Sequence, residues 1–117
     1  NKPHNRLDRI RGHSLLPAAI KAKLPQLYAT EGQGWHAVAQ VKYFTPDSNW
    51  TWYGVEFDGQ DTFYGLVIGH EIELGYFSLA ELGQVRGPWG LPIERDLWFN
   101  PTPLSQLPEY ARWAGAG

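Results

Sequence analysis

The stretch that decides the fold runs from residue 50 to residue 77. It reads Trp50-Thr51-Trp52-Tyr53-Gly54-Val55-Glu56-Phe57, then Asp58-Gly59-Gln60-Asp61, then Thr62-Phe63-Tyr64-Gly65-Leu66-Val67-Ile68, then Gly69-His70-Glu71, then Ile72-Glu73-Leu74-Gly75-Tyr76-Phe77. Three strand-sized segments, rich in aromatic and β-branched residues, are separated by short polar breaks that contain glycine. Asp58-Gly59 supplies the positive φ and the self-capping carboxylate that a hairpin turn requires. With strict alternation, Trp50 and Trp52 share one face while Thr51, Tyr53, Val55 and Phe57 share the other. Gly54, Gly65, Gly69 and Gly75 mark bulges or close backbone approaches.

Working outward, Ala37 to Phe44 alternates as a first strand, and Thr45-Pro46-Asp47-Ser48-Asn49 is a dense turn signal. Three consecutive hairpins result. The fold class is therefore α+β, an antiparallel β-meander of about four to five strands packed with two or three short helices. Leu16, Ile20, Leu24 and Leu27 recur at helical spacing behind Ser14, with Pro17 in the first turn and Pro25 near the end, so a short amphipathic helix continues by one more turn through Tyr28. Ser78-Leu79-Ala80-Glu81 is a capping box that opens a helix through Leu82, with Gly83 at its end. Asp96 to Phe99 reads as a short edge strand, and Thr102-Pro103-Leu104 as the start of a last helix. Tyr110 and Trp113 stand one turn apart. The organisation predicted is a basic N-terminal arm over residues 1–13, a single domain over 14–113 and a flexible tail over 114–117.

The chain has 117 residues, 43% of them hydrophobic and 15% aromatic, enough for one core and incompatible with disorder. It contains no cysteine, which excludes disulfides, thiolate metal sites, iron–sulfur clusters and a cysteine nucleophile. No apolar run is long enough to cross a bilayer, and no leader-like segment stands behind the polar first residues; together with the missing cysteines this predicts a cytoplasmic location. The net charge of −2 is unevenly spread. Lys2, Arg6, Arg9, Arg11, Lys21 and Lys23 face Asp8 alone in the first 23 residues, whereas the remainder is strongly acidic.

Candidate chemistry is sparse. His70-Glu71-Ile72-Glu73 lacks the second histidine of a zinc-protease helix and lies in strand context, so Glu71 and Glu73 read as solvent-facing carboxylates on one face. Asp58 and Asp61, with Asp47, could approach a divalent cation, but aspartate is also the ordinary residue of tight turns. No cofactor and no bound metal is expected. The aromatic content is the anomaly: six Trp, six Tyr and five Phe exceed what one small core needs. Trp50 and Trp52, beside a polar loop, form a candidate recognition face with Asp58, Asp61, Glu71 and Glu73, suited to a basic protein surface. The alternative is a single-stranded DNA binder or metal-dependent endonuclease, with Arg6, Arg9, Arg11, Lys21 and Lys23 tracking phosphates and indoles stacking bases.

Four groups of residues carry a family resemblance: Leu15-Leu16-Pro17 through Lys23-Leu24-Pro25-Gln26-Leu27-Tyr28-Ala29-Thr30-Glu31; Val41-Lys42-Tyr43-Phe44-Thr45-Pro46 with Trp50-Thr51-Trp52-Tyr53; Gly75-Tyr76-Phe77-Ser78-Leu79-Ala80-Glu81-Leu82; and Leu91-Pro92-Ile93-Glu94-Arg95-Asp96. In this order they resemble the bacterial family known as domain of unknown function 2958, over about residues 14–107. The resemblance implies a setting on plasmids and integrative conjugative elements, near anti-restriction and DNA-processing genes. It carries no catalytic motif over to this chain. The function expected is that of a non-enzymatic, protein-binding accessory of a mobile element, with a host-defence or mobile-element factor as partner, no membrane association, and room for a homo-oligomer.

Overall fold

The computed structural model describes residues 13–116, with side chains described as far as residue 112. Most of the predicted arm, including Lys2, Arg6, Arg9 and Arg11, lies outside the described residues, as does Gly117 of the predicted tail. In chain order the elements are α1 (Ala18–Lys21), a 3₁₀ turn (Gly34–His36), β1 (Val38–Ala39), β2 (Val41–Phe44), β3 (Thr51–Phe57), β4 (Thr62–Ile68), β5 (Ile72–Ser78), α2 (Leu79–Gln84), β6 (Glu94–Arg95), β7 (Thr102–Pro103), a second 3₁₀ turn (Leu104–Gln106) and α3 (Pro108–Ala116). The expected α+β meander is present. Five antiparallel strands lie in the order β5-β4-β3-β2-β6, and β1 pairs with β7 as a separate ribbon.

Each face of the sheet carries its own core. Leu15, Val41, Tyr43, Trp52, Phe57, Phe63, Leu82 and Ile93 fill one, with Leu16, Ile20 and Leu24 of the α1 region packed on it. The buried Tyr43 hydroxyl donates to the Leu15 carbonyl at 2.7 Å, which ties the start of the described chain to β2. Ala37, Ala39, Tyr53, Val55, Leu66, Ile68, Leu104 and Leu107 fill the other. Here the Tyr53 hydroxyl donates to Glu109 at 2.9 Å, and Tyr110 meets Trp35 edge-on at 5.0 Å, so the last helix is held by its first turns.

The alternation expected for β3 breaks at a bulge. Pairing with β4 is regular from Thr51↔Ile68 to Gly54↔Gly65, then shifts so that Glu56 opposes Tyr64 and Phe57 opposes Phe63. A bulge inserts one extra residue, so the parity of the side chains changes across it. Phe57, expected opposite to Trp52, therefore joins the Trp52 core, and Glu56 turns to the face of Tyr53 and Val55. Gly65 permits this, because a Cβ there would run into the Tyr53 carbonyl oxygen.

Other expectations are corrected by local hydrogen bonding. The Ala37–Phe44 strand is split at Gln40, whose N–H donates to the Gly54 carbonyl while β1 leaves the main sheet for β7. The first helix is one turn only, and Tyr28 is not helical. The edge strand is Glu94–Arg95; Asp96 instead starts a turn by accepting the Trp98 N–H at 2.9 Å. Thr102–Pro103 is a strand, because it pairs with Val38 and Ala39, and the last helix begins at Pro108, where a missing N–H costs nothing. Gly83 sits inside α2, and Val85 follows its end.

Candidate functional site

Only some of the residues predicted as one surface are brought together. Trp52 is only 8% exposed and belongs to the core, so it offers no recognition face. Trp50 is half-buried, stacked on Trp52 at 5.9 Å between ring centres and met edge-on by His70 at 5.4 Å. Together with the exposed Glu71 and Glu73 it borders a shallow hollow at the β4–β5 turn. Asp58 and Asp61 lie at the other end of β4, in the β3–β4 turn.

Both aspartates are occupied by the backbone. Asp58 Oδ1 accepts the N–H groups of Gln60, Asp61 and Thr62 at 2.8, 2.8 and 3.0 Å, and these bonds, led by that from Asp61, hold its carboxyl below the usual range. Asp61 accepts the Ser78 hydroxyl at 2.6 Å and the Ala80 N–H at 2.8 Å, while Ser78 Oγ accepts the Glu81 N–H at 3.1 Å. The helix start read from Ser78 is thus real, and Asp61 completes it from a neighbouring turn. Lys21 and Lys23 are exposed. Among the described residues no three His, Asp or Glu side chains converge to hold a metal ion.

A different place concentrates unusual features. Glu56, carried inward by the bulge, is 3% exposed. Its Oε1 accepts the Tyr28 N–H at 2.7 Å; its Oε2 accepts the Thr30 N–H at 2.9 Å and the Thr30 hydroxyl. Among the described residues this buried carboxylate is offset by three hydrogen-bond donors and not by a counter-charge. The same bonds hold Tyr28 at φ 71°, in the left-handed region that disfavours side chains. Strain of this kind persists where the surroundings over-determine it, which is commonly at functional sites.

Tyr28 stands 65% exposed and Tyr76 54% exposed over this carboxylate. The Tyr64 and Tyr76 rings, on neighbouring strands, are 5.2 Å apart and tilted by 58°. Hydrogen bonding to the Tyr28 side chain, with smaller contributions from burial and neighbouring charges, holds the Tyr76 phenol above its ordinary range. The three tyrosines border a cleft of about 300 Å³, floored by Ala37, Val55 and Leu104. Among the described residues Glu31 and Glu56 are its charged residues, and no Lys, Arg or His lines it. Such a cleft offers ring faces and negative charge, a combination that attracts a cation and repels a phosphate.

Neither Tyr28 nor Glu56 was singled out from the sequence. Glu56 had a signal, a lone charge inside the apolar run Trp52–Phe57 two residues after a glycine already marked as a bulge position. Tyr28 had none, since its backbone is set by a contact 28 residues away. Two further indoles, Trp89 and Trp98, are almost fully exposed in the segments flanking β6.

A family model described as Protein of unknown function (DUF2958) matches residues 15–116. No curated protein and no solved structure matches the chain.

Proposed function

The chain belongs to the DUF2958 family, and we propose that it is a non-enzymatic interaction protein whose recognition site is the tyrosine cleft over Glu56. The occupant is a basic side chain, arginine or lysine, presented by a protein partner. The carrying observation is the buried Glu56 carboxylate beneath Tyr28, Tyr64 and Tyr76. A guanidinium seated there would gain ring-face and carboxylate attraction in a partly desolvated place, worth about 1–2 kcal/mol for the ring contacts alone. Tyrosine anchors of this sort commonly dominate interface energies. The setting that fits this reading is the bacterial cytoplasm, with the protein acting as an accessory of a mobile element against a host-defence factor.

Selection of a random peptide library on the protein tests the reading. Arginine- or lysine-containing sequences should be enriched, and the enrichment should vanish for Tyr28→Ala and Tyr76→Ala. Enrichment of acidic sequences, or enrichment indifferent to both variants, would overturn it. Salt-sensitive capture of single-stranded oligonucleotides, with cleavage dependent on a divalent metal, would favour the nuclease alternative.

A further inference from the structure

A second feature of the sheet points to a partner of another kind. Among the described residues β5 pairs with β4 alone, so it forms one margin of the five-stranded sheet. Its seven residues, Ile72-Glu73-Leu74-Gly75-Tyr76-Phe77-Ser78, contain neither proline nor lysine, two of the devices that protect an exposed edge, and Glu73 is its one charge. Leu74 and Tyr76 on this strand are both exposed large side chains.

Gly75, at the centre, has no reason among the described residues to be glycine. Its φ is not positive, and a Cβ built there meets no described atom within 4 Å. Gly54 and Gly65, its neighbours across the sheet, are by contrast crowded by Phe63, Val41 or Tyr53. A glycine inside a strand weakens it, and such a position often accompanies a bulge, a bend, or the close approach of a ligand or another backbone.

We propose that β5 pairs antiparallel with β5 of a second copy of this chain, about a two-fold axis at Gly75. This register alone pairs all seven residues of both strands. It sets Leu74 opposite Tyr76 twice over, an aliphatic–aromatic pair of the kind that stabilises sheets. It sets Glu73 opposite Phe77, so no like charges meet. Sliding by two residues either way leaves strand ends unpaired and puts Leu74 opposite Leu74, or Tyr76 opposite Tyr76. The contact is isologous and closed, giving a dimer with one continuous sheet and no open-ended fibre. Leu74 and Tyr76 also line the tyrosine cleft, so the two contacts share side chains, but the pairing rests on the strand edge and not on the cleft's occupant.

The chain has no cysteine, so Gly75→Cys introduces a single thiol on the proposed axis. Opposed residues of antiparallel strands have Cα atoms about 4.5–5.5 Å apart, within disulfide range. Mild oxidation should convert Gly75→Cys to a covalent dimer much faster than Gln60→Cys, a control in the exposed β3–β4 turn. Sedimentation velocity of the unmodified protein should show a monomer–dimer shift between about 5 and 500 µM, the range for a small strand-only interface. Leu74→Lys should abolish that shift. A single-chain mass at every concentration, or a dimer in which Gly75→Cys crosslinks no faster than Gln60→Cys, would overturn the proposal.

Discussion

The Glu56 carboxylate accepts the backbone N–H of Tyr28 at 2.7 Å, across 28 residues of chain. One buried side chain thereby fixes the loop that overhangs the cleft and keeps a tyrosine in a backbone conformation it would not choose. The bulge in β3, the buried acid and the strained loop form one device.

Removing the acid should therefore loosen that loop and the protein with it. Glu56→Ala leaves the donors of Tyr28 and Thr30 without their acceptor and should cost about 2–3 kcal/mol in urea unfolding. Glu56→Gln keeps one oxygen but turns an amide N–H₂ toward a donor, and should cost about 1–2 kcal/mol. Equal stability of all three proteins would show that the carboxylate does not hold the loop.

Tyr28→Gly separates strain from recognition. Glycine adopts the left-handed region freely, though it loses more entropy on folding, and the exposed ring contributes little burial. Stability should stay level or rise by about 0.5 kcal/mol while capture of basic peptides is lost. A fall of more than about 1.5 kcal/mol would mean that the ring is a packing element.

The two neighbouring indoles should behave differently. Trp52→Ala removes a buried core ring and should cost about 3–4 kcal/mol. Trp50 is half-buried on its surface side, so Trp50→Ala should cost about 1–2 kcal/mol. Chemical denaturation of both variants decides the matter; equal, small losses would return Trp52 to the surface.

Alkali should weaken the link between the sheet and the last helix. Burial, with the Glu109 charge and hydrogen bond, pushes the Tyr53 phenol well above its ordinary value. Above about pH 10 the unfolded chain releases this proton while the folded chain retains it, so stability falls as pH rises. Tyr53→Phe should flatten that alkaline slope and cost about 1 kcal/mol at neutral pH through the lost bond to Glu109. An unchanged slope in the variant would place the alkaline sensitivity elsewhere.

The meander was legible because period-two alternation and turn residues are local signals: Thr62–Ile68 is a strand as read, and the Asp58 turn and Ser78 cap follow from their own side chains. What escaped was set by contacts distant in sequence. The bulge at Gly54 reversed the parity of Glu56 and Phe57, so a carboxylate that strict alternation puts on the Trp52 face lies buried beside the cleft instead. Trp52 borders a polar loop in sequence, yet its side chain follows the pleat into the core. Thr102–Pro103 became a strand because β1 left the main sheet to meet it.

The most direct test of the recognition site is an NMR titration of ¹⁵N-labelled protein with the blocked peptide Gly-Arg-Gly, and with Gly-Glu-Gly as control. The arginine peptide should shift the amides of Tyr28, Thr30, Tyr64 and Tyr76 in a saturable manner, and Glu56→Gln should weaken the effect. Shifts from the glutamate peptide at the same amides, or none from the arginine peptide, would contradict a cleft built for a cation.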